Sequence, residues 1–373
     1  MKNGSRIYQE YINEMIESFK TRDVSSIIKQ MKATKREGKS LYELVEENEG
    51  PIGKKDRILK GLEMFKEELT AIIFEYDYLK PYKYCALFNI IDGEYEQGIE
   101  NLRQKVSDKE EISNINDDLA NPKLYEHDEF SCLKFNYYCK GATLIDGKAK
   151  EITSILPMVV VIHKESEIIE FRVARINSNL KNNDPNFYEK RIDELIDWIN
   201  DNTIFNIKEI NVKEINTLAK QTNSIENGLI KYKDGSHMKV YGQKMELKRG
   251  SSATLEAGIS EDIVLPILGD LKLLIKDNED IFDHTHKFYD ILMEFIENTE
   301  EESTYPWVQL IWLNEVKAKQ FTVKFRFDVL TERGYSIIEF HENTAENKEM
   351  MKVAKFIDDK CREKQELSES GSA

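Results

Sequence analysis

The chain has 373 residues, more than one hydrophobic core usually holds, and its 40% hydrophobic and 10% aromatic content supplies apolar material for two or three modules. Lys plus Arg number 53 against 69 Asp plus Glu, a formal net charge of -16, which argues against binding driven by bulk attraction to a phosphate backbone but leaves room for a local basic groove. The opening "MKNGSRIYQEYINEMIESFK" lacks the apolar core of a signal peptide, and no run of about 18 apolar residues occurs, so a cytoplasmic protein without membrane contact is expected.

In chain order, Tyr8, Tyr11, Ile12, Met15, Ile16 and Phe19 share one helix face, and Val24, Ile27, Ile28 and Met31 repeat the pattern. Ile58, Leu62, Phe65, Leu69 and Ile72 predict a longer helix ending before Pro81. "YKYCALFNIIDGEY" reads as two strands joined at Asp92-Gly93, a short hairpin near 84–96. The polar run from Ser107 to Glu129 marks a boundary, giving a mostly helical N-terminal module over 1–125.

A second module, 126–225, opens on a strand in "FSCLKFNYYCKGATL". A hairpin follows, with Val159 to His163 running up and Ile168 to Ile176 back. A helix then has Asp184 as N-cap, Pro185 at its first position, and Tyr188, Ile192, Leu195, Ile196 and Ile199 as its buried stripe. The third module, 226–366, opens on a hairpin around Asp234-Gly235 and continues through helical segments interrupted at Pro266. Its next helix is capped by Asp283 and buries Phe288, Ile291, Leu292, Phe295 and Ile296. After the buried strand "YPWVQLIWL" comes a hairpin turning near Arg333-Gly334. The last helix has Asn343 and Glu346 at capping-box spacing and Met350, Val353, Ala354, Ile357 and Cys361 as its stripe, before a disordered tail at 367–373. The expected fold is α+β, a helical N-terminal module followed by antiparallel β-hairpins packed by helices.

The run Ile-Ile-Glu-Phe occurs at Ile168–Phe171 and again at Ile337–Phe340, each on the return strand of a hairpin that feeds a helix. This is either an internal duplication of a β-hairpin–helix unit or a chance recurrence of good strand formers. Strand alternation puts Glu170 and Glu339 toward solvent.

The cysteines, Cys85, Cys132, Cys139 and Cys361, form no Cys-x-x-Cys pair and read as reduced thiols, so no metal site is assigned. His284-Thr285-His286 falls at a helix start, where two imidazoles at i, i+2 diverge. His163 ends an apolar strand and reads as a satisfied or surface histidine. No Walker loop, dinucleotide fingerprint, nucleophile elbow or His-Glu-x-x-His occurs.

One constellation points to catalysis. Asp234 precedes Glu246-Leu247-Lys248 on a hairpin, and Mg²⁺-dependent cleavage of the restriction type needs an Asp on one strand and Glu-x-Lys on its neighbour. Over this hairpin the pattern resembles the PD-(D/E)xK nuclease superfamily, which implies Asp234 and Glu246 as Mg²⁺ ligands and Lys248 beside the attacking water. No Pro precedes Asp234, and Glu315-Val316-Lys317 and Asp270-Leu271-Lys272 show how easily acidic-x-Lys arises here. Lys231, Lys233, Lys239, Lys244, Lys248 and Arg249 concentrate on the same hairpin, where an anion could dock, with Lys239, Lys244 and Arg249 as candidate contacts.

The leading expectation is a non-enzymatic binding or accessory subunit of an intracellular complex, with a protein partner and no cofactor. Heavy use of Lys, Asn, Ile and Glu suggests a prokaryotic source and a role in defence against mobile elements. The alternatives are the metal-dependent nuclease and a sensor of an anionic small ligand.

Overall fold

Helical spacing early in the chain and strand alternation later become an α+β arrangement in the computed structural model. It describes residues 16, 19–107, 122–145, 148–210, 212, 229–231, 237–247, 253–255, 271, 274–275, 277–278, 286–301, 303–314, 319–327, 333–341 and 347–370. The chain divides into two compact units, Met1–Lys208 with Glu346–Met351, and Glu209–Ala345 with Lys352–Ala373. The polar boundary expected near residue 125 falls inside the first of these.

The first unit begins with α1 (Thr21–Ala33), which buries Val24, Ile27, Ile28 and Met31 as its spacing predicts. Ile16 and Phe19 join them, whereas Tyr8, Tyr11, Ile12 and Met15 lie outside the described residues. A two-residue ladder of β1 (Lys35–Arg36) and β2 (Lys39–Ser40) leads into α2 (Leu41–Glu49). Ser40 caps α2. Its Oγ accepts from Glu43 N at 3.2 Å, and Glu43 Oε2 accepts from Ser40 N at 2.8 Å.

The single helix expected across Ile58–Ile72 is two, α3 (Lys54–Met64) and α4 (Lys66–Leu79). Phe65 breaks it with φ -134° and ψ 56°. The turn there lets Ile58 and Leu62 on one helix and Leu69 and Ile72 on the next enter the same core, shared with Leu41 and Val45. Fully burying such a side chain stabilises by about 1.5–3 kcal/mol.

The hairpin expected near 84–96 does not form. β3 (Tyr84–Asp92) is followed by a helix, α5 (Tyr95–Ser107). Gly93 makes the change of direction at φ 106°, a backbone region that side chains disfavour, and its N–H donates to Asp92 Oδ1 at 2.9 Å. Asp-Gly therefore passes strand to helix rather than strand to strand.

The sheet of this unit runs β3-β7-β6-β5-β4, where β4 is Lys123–Glu126, β5 Phe130–Ile145, β6 Lys148–His163 and β7 Ile168–Val173, with β8 (Asn206–Glu209) also pairing β3. β5 and β6 pair antiparallel from Phe130↔His163 to Ile145↔Lys148. Helices cover both faces. Tyr138 of β5 packs into the α1–α4 core, while Phe135 meets Trp198 of α6 (Phe187–Asn202) edge-on at 5.1 Å. The predicted stripe of α6, Tyr188, Ile192, Leu195, Ile196 and Ile199, is buried. Its start is corrected, because the N-cap is Asn186. Asp184 instead accepts from Asn186 N at 3.0 Å and pairs with Lys190 at 2.7 Å.

Between β7 and α6 the chain crosses β5 at Gly141, where an added Cβ would lie 2.3 Å from the carbonyl oxygen of Asn179. A backbone carbonyl cannot swing aside as a side-chain tip can. Gly141→Ala is therefore expected to displace the 177–180 segment and to lower stability by about 1–3 kcal/mol, measured as a drop in the urea midpoint.

In the second unit β9 (Leu229–Lys231) and β11 (Ala253–Leu255) pair with opposite ends of one edge of β10 (His237–Leu247). The order continues through β12 (Ser303–Asn314) and β13 (Lys319–Arg326) to β14 (Ile337–Phe340). The four strands of the two expected hairpins, β9 with β10 and β13 with β14, and the strand "YPWVQLIWL" are present. Val308, Leu310, Val323 and Phe325 are buried, and Trp312 stacks on Phe321 at 5.5 Å.

Helix α7 (His286–Glu301) departs from its predicted face: Ile296 is buried, but Phe288, Ile291 and Phe295 are exposed. The final helix, α8 (Asn347–Ser370), extends through most of the expected tail. Its first turn belongs to the first unit and the rest to the second, and Met350, Val353, Ala354 and Ile357 are buried as predicted. Pro266, Asp283, Asn343, Glu346 and the side chain of Cys361 lie outside the described residues.

Candidate interaction surface and a buried charge network

The hairpin that carries the nuclease pattern is formed by β9 and β10, in the register His237↔Lys231 to Lys239↔Leu229. Asp234, Lys233, Lys248 and Arg249 lie outside the described residues; Glu246, Lys239 and Lys244 are backbone positions on β10. The register neighbours of Glu246 are Thr254 on β11 and Thr304 on β12, so neither flanking strand places a carboxylate opposite it.

The first unit holds the charged constellation that periodicity hid. Every residue of β7 is buried, and Glu170 and Arg172 are 0% exposed. The expectation that Glu170 faces solvent is thus corrected. β7 lies between β3 and β6 with both sheet faces covered, so alternation has no solvent side to point to. Glu339, on β14, is intermediate in exposure and sits in register with Lys324.

Arg172 reaches the Glu170 carboxylate twice, Nε to Oε2 at 2.9 Å and Nη2 to Oε1 at 2.8 Å. His163 Nε2 shares a hydrogen bond of 2.5 Å with Glu170 Oε1, and the Cys85 thiol donates to Oε2 at 3.6 Å. Arg172 Nη1 donates to Asn347 Oδ1 in the first turn of α8, where Met350 Sδ also accepts from Tyr82 N at 3.4 Å. Burial pushes the Glu170 carboxyl upward. The Arg172 charge and the His163 hydrogen bond outweigh that and hold it at about 2. Burial likewise opposes the Arg172 charge, and Glu170 more than restores it. His163 is thus the satisfied histidine that its strand end suggests.

A second group lies under α4. Asp77 accepts from Lys134 of β5 and from Lys80 at 2.7 Å. Burial raises its carboxyl and the two ammonium groups lower it, with a net shift downward. Lys134 is drawn down by burial against the pull of Asp77. Cys85, Cys132 and Cys139 are buried and are not joined in disulfides. Burial drives the Cys85 thiol well up and Cys132 to about 12, so neither is a thiolate near neutral pH. These ionisable groups satisfy one another inside the unit.

What the described part of the second unit offers outward is the α7 stripe. Phe288, Ile291 and Phe295 are 54%, 52% and 50% exposed, at i, i+3 and i+7 on one helix face. Lys287, Asp290 and Glu294 are exposed beside them. Among the described residues no helix is long and apolar enough to cross a membrane, and no group of three His, Cys, Asp or Glu side chains could hold a metal ion. Compared with known protein families, curated proteins and solved structures, the chain matches none.

Proposed function

We propose that the protein is a non-enzymatic binding subunit whose second unit docks a protein partner through α7. The observation that carries this reading is the stripe of Phe288, Ile291 and Phe295, three large apolar side chains each at least half exposed. Aromatic side chains on one face are the usual energetic centre of a protein interface. The flanking acids Asp290 and Glu294, on a chain of net charge -16, favour a partner whose apolar site is rimmed by Lys and Arg. The pairing of Glu170 with Arg172, His163 and Cys85, and of Asp77 with Lys134 and Lys80, supports a structural role for these groups and so a reading without catalysis.

The test is native mass spectrometry of the protein isolated gently from its own host. A stoichiometric extra protein mass is expected with the natural chain, and its loss is expected with Phe288→Glu/Phe295→Glu. Both positions are exposed, so the variant should keep the circular dichroism of the parent. A bare monomer or homo-oligomer from the natural chain, or a partner that survives the double change, overturns the proposal.

A further inference from the structure

The loop between β7 and α6 builds a basic pocket in the first unit. A cavity of about 580 Å³ is lined there by Lys20, Arg175 and Lys181 together with the segment Ile176–Asn179. Among the described residues that line it none is acidic, although acids outnumber bases 69 to 53 over the chain. Three cations therefore converge where the global charge would predict none.

The loop is also held in place from several sides. Ile176 N donates to Tyr188 Oη at 3.2 Å, and the Lys181 ammonium stands 4.3 Å over the centre of the same ring. Asn179 passes over Gly141 at a distance that admits no side chain there, and Leu180 is buried. Within the loop, Leu180 N donates to Asn177 O and Lys181 N to Ser178 O. Asn182 and Asn183 take left-handed backbone at φ 51° and 58°, which reverses the chain toward α6. Cations placed on an anchored loop lose little freedom when they meet a ligand.

The geometry points to a binding site for a small organic polyphosphate, such as a nucleoside di- or triphosphate. Lys and Arg supply the charge for successive phosphates, with Arg175 able to donate in bidentate fashion. The amides of Asn177 and Asn179 and the hydroxyl of Ser178 can donate to and accept from the remainder of the molecule. A cavity of this size falls in the range of small-molecule sites. This site is distinct from the lysine-rich hairpin to which the sequence directs an anion, and it is independent of the α7 surface.

The test uses the full chain and calorimetric titration with tripolyphosphate, AMP, ADP and ATP. Saturable one-to-one binding is expected, tightening with the number of phosphates and weakening as salt is raised. Lys20→Gln/Arg175→Gln should weaken it at least tenfold, and both residues are exposed, so the fold should persist. Lys164→Gln is the matched control. It follows the end of β6 and precedes β7, whereas Arg175 follows the far end of β7, and its affinity should stay within twofold of the parent. A thermal unfolding scan of the natural chain gives an independent readout. Tripolyphosphate should raise the midpoint above that in chloride of equal ionic strength. No saturable binding, no thermal shift, or equal affinity in the double variant overturns the site. Affinity that grows with oligonucleotide length rather than phosphate number also overturns it, and points to a nucleic-acid strand instead.

Discussion

Glu170→Ala is expected to destabilise the first unit by about 3–5 kcal/mol, the range measured when one member of a buried ion pair is removed. The carboxylate is fully buried and receives two hydrogen bonds from Arg172, one shared with His163 and one from the Cys85 thiol. Without it Arg172 keeps its charge, is left with its hydrogen bond to Asn347, and cannot reach water. Desolvation that the pair had offset then falls on the guanidinium alone. The measurement is the urea midpoint, together with the rate at which Cys85, Cys132 and Cys139 become reactive to a thiol reagent. All three thiols are buried in this unit, so their labelling reports its opening rather than unfolding elsewhere. Replacing both partners, Glu170→Leu/Arg172→Leu, should cost less than the two single changes added together, because no lone charge remains. Single changes that each cost under about 1 kcal/mol would show that water reaches the pair.

The same residue marks where reading the sequence failed. Period-2 alternation separates the two faces of a strand but does not say whether either face meets water. In "SEIIEFRV" the charged residues at alternate positions look like a solvent face. They are instead one buried side of a central strand, made tolerable by each other and by His163, seven residues before Glu170 in the chain. A charged residue two positions from its opposite, inside a run of Ile, Phe and Val, was the available signal. The helices were more legible, since the stripes of α1, α6 and α8 follow from spacing alone. α2 went unread although "SLYE" carries its capping box, because only Leu41 and Val45 of the helix are buried and the apolar stripe is short. Phe65 continued a helical stripe perfectly and yet broke the helix. Its backbone departs from helical values so that two helices can reach one core, a tertiary demand that periodicity does not encode. Asp92-Gly93 carried hairpin chemistry, but Gly at positive φ serves a strand-to-helix turn equally well. The basic pocket was hidden for a different reason. Lys20 lies more than 150 positions before Arg175 and Lys181, and only the packing of the loop over Gly141 and Tyr188 brings a cavity among them.

Acid should dismantle the first unit through the same carboxylate, and the sign can be worked out from its titration. In the folded chain the Glu170 carboxyl lies at about 2 against an ordinary 4.5, so the ionised form is the one that folding prefers. The unfolded chain then binds its proton first. The contribution is complete above pH 4.5 and is lost as the pH falls from there toward 2. A displacement of that size corresponds to about 3 kcal/mol. The groups facing Glu170 are Arg172 on its own strand, His163 on β6 and Cys85 on β3, with Cys132 of β5 also raised by its charge. Asp77 is held below its ordinary value and adds to the loss in the same direction. The expected result is a urea midpoint that drops steeply between pH 4.5 and 2.5. Glu170→Gln should start from a lower midpoint at neutral pH, because Arg172 is left without its counter-charge. It should then show a shallower acid slope, since one proton uptake between pH 4.5 and 2 has been removed. Equal slopes in the two chains would mean that Glu170 is not held ionised by its neighbours, and the acid sensitivity would have to be sought at Asp77.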